Sequence, residues 1–221
     1  MRLSTRLLCA PLACAIFVYG VLILPSQLVP GYSDIHDSVS DMGQVGSPTR
    51  LAFRVVLMVL AVCTVCFADA LREIAVRTGT SSWTAILVGM MAIALGGAAV
   101  FAYPHRLHMF FALPELIAYQ APLVFALTWR HEPRAKRLVA QSWGLYLLLT
   151  AVTFVNLSGP LGMNGLWGLV KPRIGLAQRM LFIIWFGWCT LLAKVFSSPN
   201  WQLATTGVER RSRSGGWWSS P

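Results

Sequence analysis

Charged residues are scarce in this sequence. Only 12% of its 221 residues are Asp, Glu, Lys or Arg, while 56% are hydrophobic. Soluble globular domains carry about 25% charged residues. The composition therefore excludes an ordinary soluble domain and indicates an integral membrane protein.

Acidic residues are the scarcer of the two signs. The chain has 8 Asp and Glu against 18 Lys and Arg, for a formal net charge of +10. A basic balance fits either nucleic acid or an anionic membrane surface. The basic residues lie between apolar runs, with no zinc-finger or helix-turn-helix spacing among them. We therefore expect the partners to be the lipid bilayer and anionic lipid, and we expect no nucleic acid.

The polar segments contain no cysteine. All five cysteines fall inside apolar runs, so the sequence predicts no disulfide framework in the loops. Cys63 and Cys66 match the C-x-x-C pattern, but they lie within an apolar helix and outside any βαβ unit. We interpret both as small packing side chains rather than a redox or metal pair.

Six apolar runs approach the ~20 residues that cross a ~30 Å hydrocarbon core. The first is longer than the about 7 to 15 apolar residues of a signal peptide, so we interpret it as an uncleaved helix. The predicted fold is all-α, a polytopic membrane bundle of six transmembrane helices over 1–204, followed by a disordered basic cytoplasmic tail over 205–221. The predicted helices cover about 7–29, 51–71, 83–104, 107–128, 140–159 and 174–196.

Basic residues between the helices predict the orientation. Six spans place both termini on one side, and the positive-inside rule assigns the side richer in Lys and Arg to the cytoplasm. That side is the one with the termini, so we predict cytoplasmic termini and a location in the bacterial inner membrane. The side with the termini has Arg2, Arg6, Arg72, Arg77, Arg130, Arg134, Lys136, Arg137, Lys194, Arg210, Arg211 and Arg213, and the other has Arg50, Arg54, Arg106, Lys171, Arg173 and Arg179.

Polar residues concentrate between the first two predicted helices. The segment 31–50 holds Asp34, His36, Asp37 and Asp41 together with several serines. In the predicted topology this segment faces outward.

A second polar group begins the fourth predicted helix. His105 and His108 are three apart and fall on one side of its first turn. Glu115 follows two turns later, about 10 Å deeper at ~1.5 Å per residue. Pro114 frees the carbonyl of Phe110 from its helical hydrogen bond nearby. An ionisable side chain at that depth is costly in lipid, and by default it marks a functional site.

These polar groups are predicted to meet at the outer mouth of the bundle. We expect Asp41, His108 and Arg179 to converge there, with Glu115 below them, and we take these four as candidates for catalysis. Arg179 is expected to pair with Asp41 or Glu115. Candidates for binding a substrate or lipid headgroup are Asp34, His36, Arg50, His105, Arg106, Gln178 and Arg179.

Short motifs stand at the ends of several helices. They are Pro30-Gly31-Tyr32-Ser33, Asp37-Ser38-Val39-Ser40-Asp41-Met42-Gly43, Gly46-Ser47-Pro48, the proline and His108 at the start of helix four, and Gly175-Leu176-Ala177-Gln178-Arg179. With these motifs, residues 8–196 resemble the six-helix prokaryotic membrane proteins of domain-of-unknown-function family 998. The resemblance implies the six-helix fold and a membrane location, and it brings no activity. Members often carry an acidic residue after the proline that ends helix three, where this chain has His105 and Arg106.

Three functions of different classes are open. The first is a multi-pass membrane protein that binds or acts on a lipid headgroup, because a basic outer rim suits phosphate. The second is a metal-dependent membrane hydrolase, in which His36, His105, His108 and Asp41 hold a divalent metal that activates water. The third is a small transporter, or a structural membrane protein with a stabilising ion-pair network around Arg179. The chain has no H-E-x-x-H or G-x-S-x-G motif that would favour the hydrolase.

Overall fold

The computed structural model describes residues 1–199 and 201. In that part of the chain all regular structure is helical, without a strand. Six helical segments are long and apolar enough to cross a membrane, which confirms the predicted fold class. The helices are α1 (Leu3–Leu28, with a π-helical segment at Val18–Ile23), α2 (Arg50–Thr78), α3 (Trp83–Val100), α4 (Arg106–Thr128), α5 (Lys136–Leu157), the short α6 (Asn164–Val170) and α7 (Ile174–Phe196), with 3-10 turns at Val39–Gly43, Pro133–Ala135 and Lys171–Arg173.

The observed helix ends depart from the predicted ones where polar residues continue a helix. The apolar run predicts the end of α2 at about 71, but this helix continues to Thr78 and stops at Gly79, whose φ is 68°. Its last turns are polar, and Glu73 pairs with Arg77 at 2.6 Å. Hydrophobicity marks the membrane-spanning part of a helix, whereas side-chain pairs and a glycine cap set its end.

Three prolines, Pro104, Pro114 and Pro122, each lie four residues after the end of a helical segment. A proline has no N–H for the carbonyl four residues before it, and its ring clashes with that carbonyl. The effect ends α3 earlier than the predicted 104 and breaks α4 twice. The segments end at Val100 before Pro104, at Phe110 before Pro114 and at Ala118 before Pro122.

Helix α3 lies at the centre of the bundle. Of the 18-residue apolar window of α3, 56% is buried inside the bundle. The corresponding value for the span that contains α5 is 17%. Small residues let neighbouring chains approach α3 closely. A Cβ atom at Gly97 would lie 2.0 Å from the Phe111 ring, so α4 packs directly on the α3 backbone there.

The two ends of the described chain lie at the same end of the bundle. Arg6 pairs with both Asp69 and Glu73 near the end of α2. Trp201 packs against Trp129, with ring centroids 6.2 Å apart. We call this the terminal end, and the opposite end, with residues 31–49, the loop end. The cytoplasmic placement of the terminal end stays a prediction. The predicted tail over 205–221 lies outside the described residues.

Candidate functional site

Arg179 of α7 fastens the first loop, residues 29–49, to the bundle. Its side chain is 1% exposed. Nη1 donates to the carbonyl oxygens of Asp34 at 3.0 Å and Asp37 at 2.8 Å, and Nη2 donates to the Tyr32 hydroxyl. Nε lies 3.0 Å from Oδ1 of Asp34, an ion pair without the alignment of a hydrogen bond. We call these four residues the loop anchor.

The first turn of α7 is shaped to receive this loop. A Cβ atom at Gly175 would lie 2.2 Å from the Asp37 carbonyl oxygen, so only glycine permits the contact. Gln178 accepts a hydrogen bond from the Val39 N–H at 2.8 Å. The Gly175 to Arg179 motif therefore serves loop docking.

The acidic residues of the first loop bind its own backbone. Oδ2 of Asp41 accepts from the Ser38 N–H at 2.9 Å, and the Asp41 N–H donates to the Ser38 hydroxyl at 3.3 Å, which makes a capping box. Asp37 accepts from the Ser33 N–H at 2.8 Å. These carboxylates hold the 3-10 turn in place.

Burial keeps the hydroxyl of Tyr32, in the loop anchor, protonated. It raises the pKa of Tyr32 to about 12, although the positive charge of Arg179 acts in the opposite direction. The hydroxyl therefore stays neutral and accepts from the guanidinium.

A cavity of about 330 Å³ lies in the loop-end half of the bundle. It is enclosed by α2, α3, α4, α5 and α7, with the 3-10 turn of the first loop at its mouth. Most of its wall is apolar, including Leu57, Leu95, Leu116 and Phe182. Its polar lining residues are Ser40, Tyr103, His108, Glu115, Tyr119, Thr153, Asn156 and Gln178.

Glu115 and His108 of α4 are each held by a contact within seven residues along the chain. Glu115 accepts a hydrogen bond of 2.5 Å from the Tyr119 hydroxyl, one turn further along. His108 Nδ1 lies 2.9 Å from the carbonyl oxygen of Phe101. Both side chains line the cavity, one on each side of the break in α4 at Phe110.

The three leading candidates lie in three different places. His108 lines the cavity, whereas Arg179 is in the loop anchor and Asp41 caps the 3-10 turn. The predicted partner of Arg179 is also wrong, because Asp34 pairs with it. Asp34 precedes Ser38 by four positions. Asp41 cannot take its place beside Arg179, because its carboxylate already accepts from the Ser38 N–H.

Most headgroup-binding candidates lie away from the cavity. His36 Nδ1 contacts the carbonyl oxygen of Pro172. His105 caps α4 by accepting from the Leu107 N–H at 3.1 Å. Arg106 is exposed. Of these candidates, Gln178 lines the cavity. The described residues that line the cavity do not include Asp34, His36, Arg50, His105, Arg106 or Arg179.

The predicted metal ligands are not gathered. Within residues 1–199 and 201, no three His, Cys, Asp or Glu side chains are placed to hold a metal ion. His36, His105, His108 and Asp41 each engage a backbone group instead. In the described residues these four side chains are therefore not gathered at one place.

Several residues of the two sites carried little signal in the sequence. Tyr119 follows Glu115 by four positions, a helical spacing that could have revealed the pair. Asn156 is a polar residue near the end of an apolar helix, a weaker signal. Tyr32 could be found only by knowing where Arg179 folds.

The fold and its cavity define a class, a six-span helical membrane protein with a mostly apolar chamber that has a few polar side chains, and with a loop docked over one end. The chain belongs to the family described as protein of unknown function DUF998, whose model matches residues 11–195. No curated protein and no solved structure matches the chain.

Proposed function

We propose that this membrane protein binds a slender amphiphile, such as a single-chain lipid, in the loop-end cavity. The observation that carries the proposal is a cavity inside an apolar bundle whose wall is interrupted by hydrogen-bonding side chains. Ligand sites are mostly apolar with a few placed polar groups, and their volumes run from about 300 to 1,000 Å³. A volume of about 330 Å³ fits one alkyl chain of moderate length with a small polar group.

An anionic headgroup is a poorer fit to this cavity than the basic outer rim suggests. Arg179 is engaged in the loop anchor, and Arg54 donates from Nε to the carbonyl oxygen of Ala99 at 2.7 Å. Among the described residues, the wall has one carboxyl group, that of Glu115, and one imidazole, that of His108. The support therefore favours binding of an amphiphile over phosphate recognition or metal-assisted hydrolysis.

Filling the cavity tests the proposal. The protein is placed in nanodiscs of neutral phosphatidylcholine, and saturable binding of radiolabelled decylamine, decanol and decanoate is measured after subtraction of empty nanodiscs. Ala98 and Ala112 line the cavity. Ala98→Leu and Ala112→Leu should each abolish saturable binding, because the added carbons occupy the chamber.

A matched control uses the same substitution away from the cavity. Ala151 is exposed on α5, and Ala151→Leu should bind like the unsubstituted protein. Saturable binding that survives both cavity-filling substitutions, or its complete absence for all three probes, would contradict the proposal.

A further inference from the structure

The polar side chains of the cavity wall differ in the hydrogen-bonding atoms that their contacts within the protein leave unused. Because the Phe101 carbonyl can only accept, His108 Nδ1 carries a proton and leaves Nε2 as an acceptor in the neutral ring. Asn156 donates from Nδ2 to the Val152 carbonyl at 2.9 Å, and its Oδ1 is shielded from solvent without a hydrogen-bond partner. Gln178 uses its carbonyl oxygen for the first loop, which leaves its amide N–H groups as donors.

Glu115 adds a carboxyl group that has no cationic partner. The hydrogen bond that it accepts comes from the hydroxyl of Tyr119, which has no positive charge. In the part of the chain that the structure describes, no Lys or Arg lines the cavity and none pairs with Glu115. A carboxylate in apolar surroundings is costly unless it takes up a proton or gains a cation.

Resting on the proposed function, we infer that the polar group of the bound amphiphile is an ammonium group that pairs with Glu115. A primary ammonium has three donors and no acceptor, so it complements a wall on which Glu115 and His108 offer acceptors. Its positive charge supplies the partner that the protein itself lacks there. A carboxylate or phosphate would meet Glu115 with like charge.

The same nanodisc assay tests the charge preference. Glu115→Gln keeps the size of the side chain and can still accept from Tyr119, but it removes the negative charge. It should weaken decylamine binding at least about tenfold and leave decanol binding within about twofold, since an ion pair is lost only for the amine. Glu132→Gln, in the turn between α4 and α5 at the terminal end, is the matched control and should change neither.

Each outcome assigns success or failure to one of the two ideas. Equal decylamine binding by Glu115→Gln and the unsubstituted protein, with binding still abolished by Ala98→Leu, overturns the ammonium assignment and leaves the cavity as a binding site. Binding that both cavity-filling variants leave intact overturns the site itself. Should Glu115→Gln not fold, the unsubstituted protein decides, because decanoate binding as tightly as decylamine contradicts a carboxylate-paired ammonium.

Discussion

Arg179 shows how a buried charge can be used for architecture. Its donors end on the first loop, and its charge is matched by Asp34, whose side chain is 34% exposed. A charge removed from water is costly unless an opposite charge and hydrogen bonds replace the lost hydration. The loop anchor supplies both, which accounts for a fully buried guanidinium near the end of a membrane span.

Removal of this guanidinium should destabilise the protein. Arg179→Gln leaves Asp34 without its partner and the Asp34 and Asp37 carbonyls without donors. We expect a loss of about 3 kcal/mol, the lower end for breaking a buried pair, because Asp34 keeps some contact with solvent. Chemical denaturation in detergent measures it. Exposed Arg106→Gln should stay within about 0.5 kcal/mol, and an equal loss in both variants would rule out a special role for the anchor.

Gly175 gives a second prediction at the residue scale. In Gly175→Ala the new Cβ would meet the Asp37 carbonyl oxygen at 2.2 Å, and backbone cannot move away as a flexible side chain can. We expect destabilisation of about 1–3 kcal/mol, as for other overpacked sites.

The same helix offers a control for this substitution. Nothing lies within 4 Å of a Cβ at Gly187, so Gly187→Ala should be neutral or stabilising by up to about 1 kcal/mol. The difference between the two midpoints of thermal unfolding is the test. A Gly175→Ala protein as stable as Gly187→Ala would show that the loop does not dock on α7.

At the scale of elements, the sequence was sufficient for the helices and insufficient for the loop. Length and hydropathy predict six spans, and the prolines account for where α3 ends and α4 breaks. The loop anchor joins residues more than 140 positions apart. Residue types alone allow Arg179 to pair with any nearby carboxylate, and the choice of Asp34 depends on the turn that Asp41 caps.

An ion pair between Glu132 and Arg134 lies in the turn between α4 and α5. Arg134 donates from Nε to Glu132 at 2.7 Å and from Nη2 at 3.2 Å, and this side-chain pair lowers the pKa of Glu132. The lowered pKa means that the pair stabilises the fold above the unfolded-state pKa, and that this contribution is lost as pH falls through the folded-state value.

NMR titration of the Glu132 carboxyl measures this pair directly. Arg134→Gln should raise the pKa of Glu132 toward its ordinary value, and the stability lost at neutral pH should be no more than about 0.5 kcal/mol because Arg134 is partly exposed. An unchanged carboxyl midpoint in Arg134→Gln would contradict the pairing.

At the scale of the whole molecule, the polar groups are divided between the two ends of the bundle. The loop end has the anchor and the cavity, while the terminal end joins Arg6, Asp69, Glu73 and Arg77 in one ion-pair network. Ion pairs at the terminal end, and the ion pair and hydrogen bonds of the loop anchor at the loop end, join different segments of the chain. The cavity is lined by α2, α3, α5 and α7 as well as by the broken helix α4.

The arrangement of the ends predicts a labelling pattern in cells. Gln44, in the first loop, and Lys136, at the start of α5, are both exposed and lie at opposite ends of the bundle. The five native cysteines lie within the spans and can be replaced by alanine. Gln44→Cys should then react with a membrane-impermeant maleimide in intact cells, and Lys136→Cys only after permeabilisation, because the positive-inside rule assigns the terminal end to the cytoplasm.

The reverse pattern would invert the orientation and keep the fold. Equal labelling of both cysteines in intact cells would contradict six spans, since it places opposite ends of the bundle on one side.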